Sequence, residues 1–183
     1  LLYSARIIPV RGSWIDLEFD IKDILFVRID RRRKFPVTTL LRALDLNGEE
    51  LLREFYLTNR VEREGDKYYV SFSSQTSVGQ RLEFDLINPA DGEILAKQGR
   101  KISKALVKKM ASTGIERLQI TSESLVGRIL VTDLVDAKSG EVVALSNSEL
   151  TETVLESLVG AGISSFETLF IDGVLYSDSF HRT

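Results

Sequence analysis

One tryptophan and a short run of cations near the start of the sequence have the chemistry of a nucleic-acid contact. Trp14 is the only tryptophan, and the run Arg31, Arg32, Arg33 and Lys34 follows shortly after it. An aromatic ring can stack on an unpaired base, and clustered cations can follow a phosphate backbone. The residues alone leave two alternatives open: Trp14 could be a core residue, and the basic run could be a solvated loop.

The other reactive side chains do not form a catalytic pattern. His181 is the only histidine and the chain has no cysteine, which excludes a typical zinc site and a Cys–His nucleophile pair. We expect His181 to be disordered and solvated, and we predict no catalytic residue, no metal site and no cofactor. An acidic cluster could hold Mg²⁺, but an exposed face of an antiparallel sheet explains it better. The cluster consists of Asp16, Glu18, Asp20 and Asp23.

The composition is that of an ordinary globular protein. The 183 residues are 43% hydrophobic and 28% charged, which is enough material for a buried core. The absence of cysteine is usual in a reducing cytosol, and the sequence has neither a membrane-spanning run nor a signal-peptide pattern. Because the sequence starts at Leu1 rather than at a methionine, we interpret it as a fragment of a longer chain.

Charge is unevenly distributed along the chain. The net charge is -3, whereas residues 1–42 contain nine lysines and arginines against five acids and so carry +4. The remaining residues must therefore carry -7. A basic first part and an acidic remainder predict two surfaces with different partners.

Local patterns predict two hairpins and two helices in the first part of the chain. Runs of aromatic and β-branched residues predict strands, and polar residues between them predict turns. Pro36 suits the first turn of one helix, and Asn47 can cap the other. The predicted elements are a hairpin of residues 14–19 and 24–30, helices over 36–44 and 48–56, and a charged hairpin of 60–64 and 68–72.

The rest of the sequence contains an internal repeat, in which one segment aligns with the next without a gap. Gly92 and Gly114 of the first copy align with Gly140 and Gly162 of the second, and many apolar positions also match. Turn residues and helix stops at a constant offset predict one order of strand, turn, strand, helix and strand for both copies. The copies are residues 77–120 and 125–168, with first strands at 81–87 and 129–135 and helix N-caps at Ser103 and Thr151.

Part of the sequence resembles the lobe of the bacterial RNA polymerase beta subunit. The resemblance extends from Tyr3 to about Leu52 and rests on long, specific motifs. Val10 departs from it, because many relatives have an aromatic residue there. The motifs are residues 3–9 (YSARIIP), 11–14 (RGSW), 26–34 (FVRIDRRRK) and 40–44 (LLRAL).

This resemblance implies an α+β fold in two parts. The first is a small mixed lobe domain formed by residues 1–56 and by a return segment, 171–183. The second is an inserted α+β unit, residues 57–170, which contains the two repeats. Since both ends of the chain would belong to the lobe, we expect Leu1 and Thr183 to lie close together.

For function, the resemblance implies a role in transcription without catalysis. In this family the lobe forms one wall of the cleft for downstream DNA and holds part of the non-template strand. The catalytic residues belong to the other large subunit. The DNA-binding residues implied are Trp14, which would stack on an unpaired base, and Asp30, Arg31, Arg32, Arg33 and Lys34, which would line the DNA-facing surface.

The implied partners are DNA, the other polymerase subunits, and transcription regulators that bind the insertion. The implied location is the bacterial cytoplasm, without a membrane contact. A second function class remains open: a stand-alone protein-interaction module, in which the acidic repeat binds a protein partner and the basic first part only packs.

Overall fold

The chain forms two compact units, of which the first is built from two separate stretches of sequence and the second from one. The computed structural model describes residues 3–73, 75–88, 91–173 and 176–183. The first unit combines Leu1–Tyr56 with Ile171–Thr183, and the second is Leu57–Phe170. Both contain strands and helices, which confirms the α+β class. No helix in the described part of the chain has the length and apolar character needed to cross a membrane.

The first unit is built on a four-stranded antiparallel sheet in which neighbours in sequence are also neighbours in the sheet. The predicted hairpin forms its centre and turns at Asp20, whose carboxylate accepts hydrogen bonds from the backbone N–H groups of Lys22 and Ile24 at 2.9 and 3.0 Å. One strand on each side extends this hairpin. The strands are β1 (Ser4–Ile7), β2 (Ile15–Phe19), β3 (Leu25–Ile29) and β4 (Phe35–Pro36).

Two helices follow the sheet. α1 (Val37–Ala43) begins after Pro36, which lies in β4, so the proline precedes the helix rather than forming its first turn. α2 (Gly48–Phe55) begins after Asn47, whose side chain accepts a hydrogen bond from the backbone N–H of Glu50 at 2.9 Å. The Glu50 carboxylate in turn accepts the Asn47 N–H at 2.8 Å. This reciprocal cap satisfies two backbone donors and confirms the predicted N-cap.

The last segment of the chain packs within the first unit. The Tyr56 hydroxyl donates to the carbonyl of Ser177 at 2.8 Å and accepts the backbone N–H of His181 at 3.0 Å. His181 is half-buried and burial lowers its pKa, so the expectation of a solvated side chain was wrong. The Thr183 hydroxyl accepts a backbone N–H from β3 at 3.1 Å. Leu1, which we expected near Thr183, lies outside the described residues.

The second unit contains a four-stranded antiparallel sheet, two short hairpins and two helices. The predicted charged hairpin forms the centre of the sheet and pairs Val61 with Val70. Each outer edge of this hairpin is covered by one strand from later in the chain. The elements are β5 (Thr58–Glu64), β6 (Lys67–Ser71), β7 (Leu86–Ile87), β8 (Ile94–Ala96), α3 (Lys104–Ser112), β9 (Arg117–Ile120), β10 (Leu134–Val135), β11 (Val142–Ala144), α4 (Glu152–Gly160) and β12 (Ser165–Leu169).

Elements and hydrogen bonds of this unit recur at the offset that aligns Gly92 with Gly140. α3 and α4 are each capped by a hydroxyl, because Ser103 accepts the Leu106 N–H and Thr151 accepts the Val154 N–H. After the helices, β9 pairs with β6 and β12 pairs with β5. Further matched backbone bonds are Gly79 N–Ile102 O with Gly127 N–Leu150 O, Asn88 N–Glu93 O with Asp136 N–Glu141 O, and Ile115 N–Met110 O with Ile163 N–Leu158 O.

The first strands of the two segments are shorter than predicted. The expected strands over 81–87 and 129–135 are replaced by β7 and β10, of two residues each. The Asp85 carboxylate accepts the backbone N–H of Gln98 at 2.7 Å, and Asp133 accepts an equivalent bond at 2.6 Å. Each carboxylate thus accepts from a backbone donor just after β8 or β11. Residues 89 and 90 of the first predicted turn lie outside the described residues.

One apolar core joins both segments of the second unit. Met110 of α3 and Leu158 of α4 occupy matching positions, with exposures of 0% and 2%. Leu130 and Leu150 of the second segment are also fully buried and belong to the same cluster. Burial of such a side chain contributes about 1.5–3 kcal/mol. Neither segment therefore has a core of its own.

We predict that Tyr56→Phe destabilises the first unit by about 1–3 kcal/mol, because the carbonyl of Ser177 and the N–H of His181 would lose their buried partner. Urea denaturation of the 183-residue chain measures this loss. Tyr3→Phe is the matched control, since Tyr3 is 77% exposed. Equal unfolding midpoints for the two variants would contradict the role of the Tyr56 hydroxyl.

Candidate nucleic-acid interface

Trp14 lies beside two guanidinium groups in the first unit. It immediately precedes β2 and is half-buried, so it is not one of the core residues. The guanidinium carbons of Arg6 and Arg31 each lie 5.4 Å from the centre of the indole ring. Cations at this distance are attracted to the face of a tryptophan ring. The two arginines therefore restrain the ring and give its surroundings positive charge.

Asp30 connects the turn after β3 to the residues before β2. Its carboxylate accepts the Ser13 hydroxyl at 2.6 Å and the Trp14 N–H at 2.9 Å, and its own N–H donates to the Trp14 carbonyl at 2.9 Å. The pKa of Asp30 is lowered, first by the Ser13 hydrogen bond and then by that of Trp14. Because the carboxylate is engaged by these two donors, the geometry gives Asp30 a positioning role for Trp14.

The arginine run begins in a strained turn and is exposed. Asp30 and Arg31 have φ angles of 51° and 60°, in the left-handed region that non-glycine residues rarely adopt. The turn is closed by a hydrogen bond from the Arg32 N–H to the carbonyl of Ile29 at 3.1 Å. Arg31, Arg32 and Arg33 are all exposed. Within the described residues, none of the three forms an ion pair, so their charge is available to an anionic partner.

Lys34 differs from the three arginines before it. Its ammonium nitrogen lies 3.4 Å from a Glu18 carboxylate oxygen and 4.4 Å from the centre of the Phe26 ring. Arg28 also donates to the same Glu18 oxygen, at 3.1 Å, and this bond is the main reason that the pKa of Glu18 is lowered. The positive charge of Lys34 is thus partly compensated on the sheet itself.

The predicted acidic cluster is dispersed among intramolecular partners. Asp16 pairs with Arg6, Glu18 with Arg28 and Lys34, Asp20 with backbone N–H groups of its own turn, and Asp23 with the hydroxyl of Ser179. Within the described residues, no group of three or more metal-binding side chains converges on one point. These carboxylates therefore organise the sheet and its turn.

A polar groove of about 600 Å³ on the sheet is lined in part by Arg6 and Arg31, the two arginines beside the Trp14 ring. Antiparallel register places Arg6, Asp16 and Arg28 side by side across β1, β2 and β3. Arg31 and Glu18 complete the charged lining, which has three arginines against two acids. Arg6 was not among the predicted site residues. Its approach to Trp14 depends on the pairing of β1 with β2, which no local sequence pattern indicated.

Comparison with known proteins assigns the chain to a family. Residues 2–76 match the family model described as RNA polymerase Rpb2, domain 2. The chain is 62% identical over its 183 residues to the DNA-directed RNA polymerase subunit beta of Desulfotalea psychrophila. It is also 50% identical over 120 residues, or 66% of the chain, to the subunit of the same name from Bdellovibrio bacteriovorus. The chain therefore belongs to the bacterial RNA polymerase beta-subunit family, which confirms the resemblance.

The chain corresponds to a small part of these relatives. It covers 14% of the Desulfotalea subunit and 8% of the Bdellovibrio subunit. A third relative, the beta subunit of Rhizobium rhizogenes, is 45% identical over 121 residues, which are 66% of the chain and 9% of that subunit. Similarity over the whole chain, including the second unit, is thus seen with the Desulfotalea protein.

We predict that the environment of Trp14 changes as the pH falls below about 4. The pKa of Asp30 is lowered in the folded state by its hydrogen bonds to Ser13 and Trp14. The stability that these bonds contribute is therefore fully present above the unfolded pKa of about 3.9, and it is lost as the pH falls through the lower, folded-state pKa. The emission maximum of Trp14, measured against pH, reports this change. Asp30→Asn should remove the Asp30 part of the transition, whereas Asp66→Asn, an exposed control in the second unit, should retain it. Identical profiles for the wild type and Asp30→Asn would contradict the positioning role.

Proposed function

We propose that this chain is a non-catalytic lobe segment of an RNA polymerase beta subunit that contacts downstream DNA and the non-template strand during transcription. The observation that carries the proposal is Trp14, restrained by Asp30 and Arg31 at the surface next to exposed arginines. Identity of 62% with a DNA-directed RNA polymerase subunit supports the same role. The site of action would be the bacterial cytoplasm.

In this proposal each site residue has a separate task. Trp14 stacks on an unpaired non-template base, an interaction worth about 1–3 kcal/mol that does not depend on base identity. Arg31, Arg32 and Arg33 contact phosphates, which positions the strand without reading its sequence. Asp30 presents the tryptophan, and the charge of Lys34, shared with Glu18, makes a smaller contribution.

We also propose that the second unit, residues 57–170, is an insertion in a lobe formed by 1–56 and 171–183. The two-part composition of the first unit supports this interpretation. Hydrogen bonds repeated at one constant offset support a duplication within the insertion, with copies at 77–120 and 125–168. The catalytic residues of the enzyme would lie outside this segment, in the other large subunit.

A protein-binding role for the acidic copy is favoured by one specific observation. A groove of about 340 Å³ lies beside α4 and combines exposed apolar side chains with carboxylates. Val126 and Val159 are 41% and 40% exposed, and Glu152 and Glu156 lie next to them. Such a surface suits a regulator with basic and apolar side chains.

We predict that replacing both Glu152 and Glu156 with lysine abolishes the effect of such a regulator on transcription by the assembled polymerase. A regulator effect equal to that on the wild type would contradict this role of the groove.

We predict distinct salt effects for the two parts of the DNA site in the assembled polymerase. Replacing Arg31, Arg32 and Arg33 with alanine should shorten the open-complex lifetime and reduce its salt dependence, because phosphate contacts are lost. Trp14→Ala should shorten the lifetime with little change in salt dependence, because stacking is not ionic.

Lys22→Ala serves as the control for both, since Lys22 is an exposed cation in the same unit but lies in the turn at Asp20. Salt-titrated decay of preformed open complexes provides the measurement. Lifetimes equal to that of the wild type for both the triple variant and Trp14→Ala would mean that these residues are only structural.

A further inference from the structure

The two segments that share one hydrogen-bond pattern carry opposite charge. Residues 77–120 contain eight lysines and arginines against five acids, a net charge of +3. Residues 125–168 contain two against seven, a net charge of -5. The second segment is thus the main source of the net charge of -7 after residue 42, whereas the first segment is basic. The two segments thus share a backbone hydrogen-bond pattern but carry side chains of opposite net charge, which indicates that they have different partners.

The positive charge of the first segment is concentrated at α3 and the turn before it. Lys104 and Lys108 lie four residues apart in α3, which places them on one side of the helix, and Lys101 lies just before the N-cap Ser103. The equivalent positions of the second segment are Glu149, Glu152 and Glu156. We call the exposed cations of this region the basic face; they are Arg81, Lys97, Arg100, Lys101, Lys104, Lys108 and Lys109.

The cations of the basic face contribute little to the stability of the fold. Lys104 lies in the first turn of α3, where the partial positive charge of the helix start disfavours a cation, and that turn contains no acid. Arg81 and Lys101 are direct partners in an antiparallel bridge, so two like charges face each other. Among the described residues, only Lys97 of the basic face forms an ion pair, with Asp85 at 3.5 Å. In the described part of the chain the other six form no ion pair, and Arg81 donates to the carbonyl of Gly99 at 2.9 Å.

The side chains around these cations favour phosphate over an acidic protein as the partner. No large hydrophobic side chain is exposed between residues 97 and 112, all of which are described. Protein interfaces have apolar or aromatic anchors and are depleted in lysine. The equivalent acidic region has such anchors, since Leu145 and Val159 are 60% and 40% exposed. A face made of lysines and arginines without anchors instead suits a phosphate backbone.

We propose that the basic face binds the phosphate backbone of duplex DNA without sequence preference, as a second contact separate from Trp14. The contact uses charge density rather than base stacking, because no aromatic side chain lies between residues 97 and 112. This proposal does not rest on the stacking role of Trp14. It assigns DNA as the partner of residues 77–120, which the summed charge of the sequence had placed in the acidic remainder of the chain.

The test uses the 183-residue chain with Arg31, Arg32 and Arg33 replaced by alanine, so that the first DNA site is weakened. Binding to a labelled duplex is measured by fluorescence anisotropy from low to moderate salt. Replacing Lys101, Lys104 and Lys108 with glutamine should reduce the slope of log affinity against log salt by about 2.7, since each phosphate contact contributes about 0.9. Replacing the same three lysines with arginine should preserve the slope.

The matched control changes Glu149, Glu152 and Glu156 to glutamine at the equivalent positions, and it should leave the slope unchanged. Trp14 emission should stay constant on duplex binding, which separates this contact from the proposed stacking site. An unchanged slope in the lysine-to-glutamine variant would overturn the proposal. Competition by polyglutamate as effective as that by DNA, with the same dependence on the lysines, would also overturn it and identify an acidic protein segment as the partner.

Discussion

The hydrogen bonds of the Asp30 carboxylate are the interaction on which the candidate interface depends. The residues before β2 and the turn after β3 are distant in sequence, and Asp30 joins them through Ser13 and Trp14. The same turn requires left-handed conformations at Asp30 and Arg31, each of which costs on the order of 1 kcal/mol or more. Charge-assisted bonds to the carboxylate offset this cost. The strain and the presentation of Trp14 are therefore two parts of one local arrangement.

In the second unit the corresponding constraint is the hairpin of β5 and β6, whose two edges would otherwise be open. Pairing with β12 on one side and β9 on the other closes both edges, and Val61 lies opposite Val70 at the centre. The edges of the sheet are thereby moved to the shorter strands β9 and β12. Since turns, caps and core residues determine this framework, exposed positions on α3 and α4 are free to differ in charge.

Sequence reasoning succeeded where the determining contacts are local. Asn47, Ser103 and Thr151 were predicted as N-caps because such a residue accepts a backbone N–H only three residues away, and all three do so.

Prediction from the sequence failed where the partner of a side chain comes from a distant strand. The approach of Arg6 to Trp14 depends on strand pairing, and so does the compensation of Lys34 by Glu18. His181 was expected to be solvated because it lies near the end of the chain, yet contact with Tyr56 buries part of it. Net charge summed over the chain after residue 42 concealed a basic segment, because a larger acidic segment follows it. Summed charge describes a chain, whereas binding depends on which charges share a surface.

The most direct measurement of the central claim uses the fact that Trp14 is the only tryptophan in the chain. Its fluorescence is titrated with a single-stranded oligonucleotide and, separately, with the corresponding duplex. Stacking on an unpaired base predicts strong quenching that saturates with the single strand and little quenching with the duplex. Equal quenching by both, or no quenching by the single strand at concentrations where binding is observed by another method, would contradict the account.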